Sequence, residues 1–466
     1  MRNRLLLLKW SWRDLRANWI KVAAIALVIA LGTGTYAGLT STADWRRLSN
    51  DASFGLLSMH DVRVELSEDT MVPRGALEAA AAAIPQAGAL TGIEERLIFD
   101  VLVDASTADA EILVPGAIIG TDVTGGEPAV DGLHVAAGRR LGDADAGADT
   151  VLLEHNFASH YELPDQGTIT ISGNRELSYV GNAMTPEFFF VAPEGQIFFS
   201  EANYAALFTS LETAQNLGGR PGAVNDLVVT LREGTDAESV AAELEAAVET
   251  QLGVGSDTEI KADNPSFRAL TEDVENDQQI YNLFAFLLFG GAVTGAFNLI
   301  TRLVEQQRRE IGAAMALGVP TRRIAVRPLL VGAQIDLLGV AFGIGIGVLI
   351  GNAMRGVLID FLPLPIWITD FRWSIFIGVA IAGFLVPFAA SAWPVWRAVR
   401  VKPIEAIRAA HLTGGKRKRR RRFRRLPGST LTVMPFRNLA RARRRTALTM
   451  IGIAAIITVL VGFLGM

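Results

Sequence analysis

The chain has 466 residues, half of them hydrophobic and one fifth charged, with no cysteine and a formal net charge of −4. A mean hydropathy of +0.30 excludes a disordered chain. The lack of cysteine excludes a disulfide framework, a thiol nucleophile and a cysteine-ligated zinc site.

The elements follow in chain order. Leu5, Leu8, Trp12, Leu15 and Trp19 recur at helical spacing, with Arg4, Lys9, Arg13 and Arg16 between them. That pattern predicts an amphipathic helix lying in a membrane interface. Residues 20–39 form the first of five stretches long enough to cross a bilayer; the others are 280–300, 328–354, 373–396 and 447–466. The first is read as an uncleaved anchor: its apolar run exceeds a signal-peptide core, and no small-x-small cleavage site follows.

Residues 44–277 are too many for a loop and form a domain inserted between spans one and two. Alternation at Val62, Val64 and Leu66 predicts a strand over 59–66, a helix over 74–84 follows Pro73, and a second strand covers 97–103. The same order returns as strand 226–231, helix 236–252 capped by Thr235 or Asp236, and strand 258–261. Two strand–helix–strand units flanking an insert suggest a split α+β sheet. The insert, 115–199, reads as mostly β. Residues 271–280 lack Pro and Gly and are expected to continue as helix into span two. Glu154, His155 and His160 lie close together without metal-ligand spacing, so no metal site and no catalytic residue is assigned.

The near-neutral total hides a separation of charge. Residues 44–277 hold 12 Lys and Arg against 41 Asp and Glu, a net of −29, and the remainder carries +25. The basic residues gather at the N-terminus, at 302–327 and at 397–445. Alternation across five spans puts all three on one side, and the positive-inside rule makes that side cytoplasmic. Residues 44–277 and the loop 355–372 are then outside.

Within the membrane, Gly339, Gly343, Gly347 and Gly351 recur every four residues in span three. Ala26, Ala30, Gly34 and Gly38 do so in span one, and Gly291 and Gly295 in span two. Such ridges let helices approach closely, either as fixed packing or as a sliding interface. Gln334 and Asp336 are intramembrane polar residues; Asp336 is either functional or packed near the inner interface beside a basic neighbour. The loop after span two, residues 305–324, reads as a short amphipathic helix with an apolar face of Ile311, Met315 and Leu317, stopped at Gly318.

Gln307 to Gly312 followed by Ala316-Leu317-Gly318 resembles the R-x-R-E-I-G … A-L/V-G-A stretch of FtsX-like ABC permeases, the MacB and LolC/LolE groups among them. The tail of span four, Pro394 through Pro403 to Arg408, resembles that family's P … A … P-x-E/D-A-L/I-R ending. Residues 183–190 are similar to its recurrent S-P-E turn. The resemblance covers the chain end to end, with two departures: many members carry Glu where this chain has Gln334, and Val319-Pro320 replaces an alanine-containing turn.

The resemblance implies an α-helical integral membrane protein of about five spans with a large extracytoplasmic α+β domain. The domains would be 1–43, 44–277, 278–408, a basic linker 409–446, and 447–466. It further implies a coupling helix formed by Arg308, Arg309, Glu310, Ile311, Gly312, Leu317 and Gly318 against a separate cytoplasmic ABC ATPase. No G-x-x-x-x-G-K-[ST] occurs, so the chain is not itself expected to be an enzyme. ATP and magnesium would bind the partner, and no cofactor is expected on this chain. The role implied is a permease subunit of the plasma membrane that exports or extracts a lipidic, lipoprotein or amphiphilic peptide substrate. The alternative is transmembrane signalling to a cell-wall hydrolase, or sensing of an antimicrobial peptide.

Nine of the ten residues 416–425 are basic, which between two spans reads as contact with anionic lipid rather than nucleic acid. Phe436-Arg-Asn-Leu439 before span five echoes Trp12-Arg-Asp-Leu15 before span one at an offset of 424. The chain is thus expected to open a second copy of its own plan, with a second permease half or a second copy as partner. The alternative is a five-span protein whose C-terminus is outside.

Overall fold

A computed structural model describes residues 2–107, 111–126, 128–190, 203–400, 450 and 454, with side chains from residue 9 onward. The helices are α1 (Arg2–Ala17), α2 (Trp19–Leu56), α3 (Ala76–Ala82), α4 (His155–His160), α5 (Leu211–Leu217), α6 (Ala237–Leu252), α7 (Pro265–Gln306), α8 (Arg308–Ala316), α9 (Thr321–Phe361) and α10 (Trp373–Val399). The main strands are β1 (Val62–Leu66), β2 (Leu90–Asp104), β3 (Leu113–Thr121), β4 (His134–Gly138), β5 (Thr150–Glu154), β6 (Gly167–Ile171), β7 (Arg175–Met184), β8 (Ala205–Ser210), β9 (Asp226–Leu231) and β10 (Ser256–Ile260). Two compact units emerge. One comprises Met1–Asp44, Asp277–Gly356 and Thr369–Met466; the other comprises Trp45–Asn276 and Val357–Ile368.

Among the described residues four helices are long and apolar enough to cross a membrane: α2, α7, α9 and α10. The expected fifth span and the basic linker 409–446 lie outside the described residues, apart from Met450 and Ala454. Each span is longer than its apolar run, because polar residues continue the helical hydrogen bonding beyond the hydrocarbon. The expected helix over 271–280 is part of α7. Hydroxyls inside α2 are satisfied by the preceding turn: Thr33 Oγ1 donates to Ile29 O at 2.8 Å and Ser41 Oγ to Ala37 O at 2.7 Å. Pro328 lies inside α9, and Pro387 and Pro394 inside α10. Ser391 Oγ in α10 turns back to Phe388 O at 2.8 Å.

In the other unit the four strands of the two strand–helix–strand repeats lie in the order β10-β1-β9-β2, all antiparallel. β1 and β2 are therefore parallel with β9 between them, the split arrangement expected. Helices α3 and α6 pack on this sheet and on each other, burying Leu77, Val240, Leu244 and Val248. The first helix is shorter than expected, since Gly75 at φ +88° breaks the turn after Pro73.

β2 is long enough to serve two structures. Its first half pairs with β9, and Leu97–Asp104 pairs with β3. From there the pairing runs β3-β8-β5-β7-β6 and returns to β2 through Val103↔Ile171 and Asp104↔Thr170. The insert is thus a ring of six strands filled by Ile118, Leu153, Ile169, Leu177 and Leu207.

The segment Val357–Ile368, read from sequence as part of a plain outer loop, packs in this unit. Leu362 and Leu364 are buried with Phe54, Leu57, Phe189 and Leu270. The Ile366 and Ile368 N–H groups donate to Ser53 Oγ at 3.3 Å and Ser49 Oγ at 2.9 Å. Burying two leucines contributes roughly 3–6 kcal/mol, enough to hold the residues that follow the end of α9.

Candidate functional site

The two small-residue ridges meet. A Cβ built on Gly34 of α2 would lie 2.6 Å from Gly343 O and 2.7 Å from Ile346 Cβ of α9. One on Gly343 would overlap Thr33 Oγ1 and come within 3.2 Å of Ala30 O. The register continues on both sides: Gly339 faces Ile29 and Ala26 O, Gly347 faces Gly34 O, and Gly38 faces Gly347 O. At these glycines the helices approach too closely for a Cβ. Gly351 is also buried. Gly291 and Gly295 make no such seam: a Cβ on Gly291 meets nothing within 4 Å, and one on Gly295 only Ile25 at 3.8 Å.

At the end of this unit α8 follows α7 after a one-residue break at Gln307. Ile311 and Gly312 are buried, and Ile311 packs with Ile300, Val304 and Val395, joined by Met315, Ile324 and Leu329. One short helix is therefore seated on the ends of α7, α9 and α10. Gly318 at φ +81° stops it, with its N–H on Met315 O at 3.0 Å and Val319 N–H on Ala314 O at 3.0 Å. The expected apolar face is divided: Ile311 points in, whereas Leu317, beyond the last turn, is 84% exposed. Arg308, Arg309 and Glu310 are also exposed.

A polar clasp joins this helix to the N-terminal leader. Arg327 of α9 grips Asp14 of α1 with both ends of its fork, Nε to Oδ2 and Nη2 to Oδ1, each at 2.8 Å. The same guanidinium reaches Glu310 Oε2 at 3.4 Å and lies 5.9 Å from the Trp10 ring. Neither Asp14 nor Arg327 was singled out from sequence. The available signal was Asp14 inside the repeated Trp12-Arg-Asp-Leu15.

Asp336 is 1% exposed, and its Oδ2 has no hydrogen-bond partner among the described residues. Gln334 Oε1 is in the same position. The basic neighbour expected for Asp336 is not found among the described residues. Basic side chains cluster at the helix ends, and Lys21 there donates instead to Asn18 Oδ1 at 3.3 Å. Around Asp336, Val331 and Ile335 pack with Val22, Leu299 and Leu303.

The other unit contains a buried charge network that the sequence reading missed. Arg96 of β2, 1% exposed, donates Nε to Asp226 Oδ1 at 2.6 Å and Nη1 and Nη2 to Glu187 at 2.6 and 3.1 Å. Its Nη1 also reaches Asp131 Oδ2 at 3.3 Å. Arg63 of β1 donates to the second Asp226 oxygen at 2.6 Å, and His60 Nδ1 lies 2.8 Å from Asp131 Oδ2. These groups come from both strand–helix–strand repeats and from the insert.

Burial alone would lower the His60 pKa, but the Asp131 carboxylate and its hydrogen bond, with Glu187, raise it above its usual 6.5. Burial alone would raise that of Glu187; Arg96, His60 and Arg63 bring it down to about 2. A protonated His60 with two arginines balances three carboxylates. His60, Asp131 and Glu187 offer ligand atoms within 4.8 Å of one another. Arg96 already donates to both carboxylates and its charge would repel a metal cation, so the cluster is a strut rather than a metal centre.

Of the acidic and histidine residues weighed from sequence, Glu154 accepts the Asn156 and Phe157 N–H groups at the start of α4, and His155 Nδ1 is 2.9 Å from Asn182 Oδ1. Both are structural.

Spans packed on small-residue ridges, an amphipathic helix seated on their ends, and an inserted α+β unit define a multi-pass membrane protein with a large non-membrane domain. Comparison with known proteins specifies the class. Residues 282–403 match the FtsX-like permease C-terminal family. An uncharacterized ABC transporter permease of Methanocaldococcus jannaschii is 25% identical over 210 residues, 44% of this chain and 50% of that protein. A protein of Pseudomonas syringae pv. tomato named as a probable syringafactin export ATP-binding/permease protein is 25% identical over 294 residues, 60% of this chain and 40% of that one. The chain thus spans half the length of these relatives or less.

Among solved structures, the extracellular domain of the noncanonic ABC-type transporter YknZ aligns over 43% of this chain and 98% of that one, at 9% identity and a TM-score of 0.29. The periplasmic region of MacB from Actinobacillus actinomycetemcomitans aligns over 48% and 96%, at 10% identity and a TM-score of 0.31. The chain is a homologue of ABC transporter permeases, and the FtsX-like resemblance read from its motifs is borne out.

Proposed function

We propose that this chain is the membrane subunit through which a separate cytoplasmic ABC ATPase drives the domain at 44–277, in the export or extraction of a lipidic, lipoprotein or amphiphilic peptide substrate. ATP and magnesium belong to the ATPase. The N-terminus and α8 are cytoplasmic and residues 44–277 extracytoplasmic, a reading supported by the −29 and +25 charge division. A second permease half or a second copy completes the unit. Export as the direction is supported by the printed role of the Pseudomonas relative.

The observation that carries the reading is the mounting of α8. Its inner side is fixed to α7, α9 and α10 through Ile311, while Leu317 stands free beside Arg308, Arg309 and Glu310. A helix so fixed transmits a push from a partner instead of absorbing it. The test is purification of the full chain with the P-loop ATPase that accompanies it. Leu317→Asp is expected to weaken that association at least tenfold, as for a buried interface anchor, and Glu310→Lys to weaken it as well. Retention of the ATPase, with unchanged stimulation of its turnover, in both variants would overturn the assignment of α8.

A further inference from the structure

A cavity of about 380 Å³ opens between the ends of α7 and α10 and the start of α8. Its walls include buried Val304, Ile311 and Pro394 and exposed Arg308, Arg397 and Trp393. Glu305 supplies the one acidic group in the lining. Neither arginine makes an ion pair or hydrogen bond among the described residues. That differs from Arg327, which is fully engaged with Asp14.

The depth of the cavity is marked by aromatics. The Trp393 and Trp396 rings lie 5.6 Å apart, tilted by 38°, and the Arg400 guanidinium lies 3.9 Å from the Trp396 ring centre. Exposed tryptophans at the end of an apolar helix sit at headgroup level. An apolar wall, two uncommitted guanidinium groups and an interfacial tryptophan together suit a ligand with a phosphate at one end and a hydrocarbon chain at the other.

We propose that this cavity binds the headgroup of an anionic phospholipid, its phosphate between Arg308 and Arg397 and its first acyl carbons along Trp393 and Val304. The site needs only a bilayer, and it shares Arg308 with the helix proposed to meet the ATPase. It would seat a lipid against α8.

The experiment is native mass spectrometry of the full chain in detergent, titrated with phosphatidylglycerol and phosphatidylcholine of identical acyl chains. Two arginines near a headgroup, at roughly fivefold each, give an expected preference of roughly 30-fold for phosphatidylglycerol. Arg308→Gln with Arg397→Gln should lower the preference by about that factor, leaving what the basic run 416–425 contributes. Arg322→Gln with Arg323→Gln, on the same basic segment but outside the cavity, should leave it. Glu305→Gln should increase it, a gain that no loss of folding can mimic.

Equal binding of the two lipids, a preference unchanged in the first double variant, or one lowered equally in the second would overturn the proposal. Millimolar inorganic phosphate that displaces phosphatidylglycerol completely would show a free-anion site and overturn the lipid assignment. So would protection of Arg308 and Arg397 from a guanidine-modifying reagent by an added ATPase but not by phosphatidylglycerol, since the cavity would then hold protein.

Discussion

The seam between α2 and α9 makes a prediction that turns on which atom blocks the way. Gly34→Ala places a methyl 2.6 Å from the Gly343 carbonyl oxygen and 2.7 Å from Ile346 Cβ. Backbone and Cβ cannot rotate aside, so the helices must part, at an overpacking cost of roughly 1–3 kcal/mol. Gly343→Ala collides instead with Thr33 Oγ1, a side-chain atom. Thr33→Ala removes that oxygen, so Gly343→Ala with Thr33→Ala should recover about 1 kcal/mol relative to Gly343→Ala alone. Gly345, exposed on the same helix with nothing within 4 Å of where a methyl would stand, is the control. Gly345→Ala should be neutral, or stabilising by up to about 1 kcal/mol through helix propensity. The assay is equilibrium unfolding of the full chain in mixed micelles, followed by tryptophan fluorescence. If Gly34→Ala is tolerated as well as Gly345→Ala, or if Thr33→Ala fails to relieve Gly343→Ala, then α2 and α9 do not meet along these glycines.

Among the charged groups, Arg96→Met takes from Glu187 its bidentate partner and leaves Asp226 to Arg63 and Asp131 to His60; it should destabilise the α+β unit by roughly 3–5 kcal/mol, read as faster hydrogen exchange in β1, β2 and β9, and unchanged exchange would refute the strut. The pH dependence has two limbs. The folded His60 pKa is raised, so its contribution is complete below about 6.5 and is lost as pH rises through the raised value. The folded Glu187 pKa is lowered from 4.5 to about 2, so its contribution, roughly 3 kcal/mol, is complete above about 4.5 and lost as pH falls toward 2. Hydrogen exchange of this unit should therefore be slowest, after correction for intrinsic rates, between about pH 4.5 and 6.5, and His60→Gln should flatten the upper limb; an upper limb unchanged by His60→Gln would refute the assignment. A double-mutant cycle on Asp14→Asn and Arg327→Gln should give a coupling of about 1–2 kcal/mol for a half-buried bidentate pair, and zero coupling would separate α1 from α9.

Much of the architecture was legible because it rests on local periodicity. The apolar runs located the four described spans, and the two strand–helix–strand repeats gave the split sheet, since each is a period-2 run beside a period-3.6 run. Both partners of the ridge seam could be read from their spacing of four. What was not legible depends on long-range closure. The pairing of β6 with β2 rests on two register positions. A short strand carries no mark of its second neighbour. The end of α9 and the stretch after it, Val357–Ile368, joined the α+β unit through two leucines that sequence does not mark. Arg96 and Arg63 look like outward-facing charges in alternating strands; only the fold brings Asp226, 130 residues beyond Arg96, to meet them.

The same long-range pairing bears on how the membrane unit can move. Sequence left the glycine ridge open between fixed packing and a sliding surface. In the structure α9 is held to the N-terminal helices at two depths, by the Arg327–Asp14 fork to α1 and by the carbonyl-to-glycine approaches at Gly339, Gly343 and Gly347 to α2. A slide of one turn would move these glycines off one another's backbones and break a bidentate ion pair in the same step. Two independent costs, each of order 1 kcal/mol or more, oppose it. The seam therefore behaves as a fixed joint, with α1, α2 and α9 acting as one body.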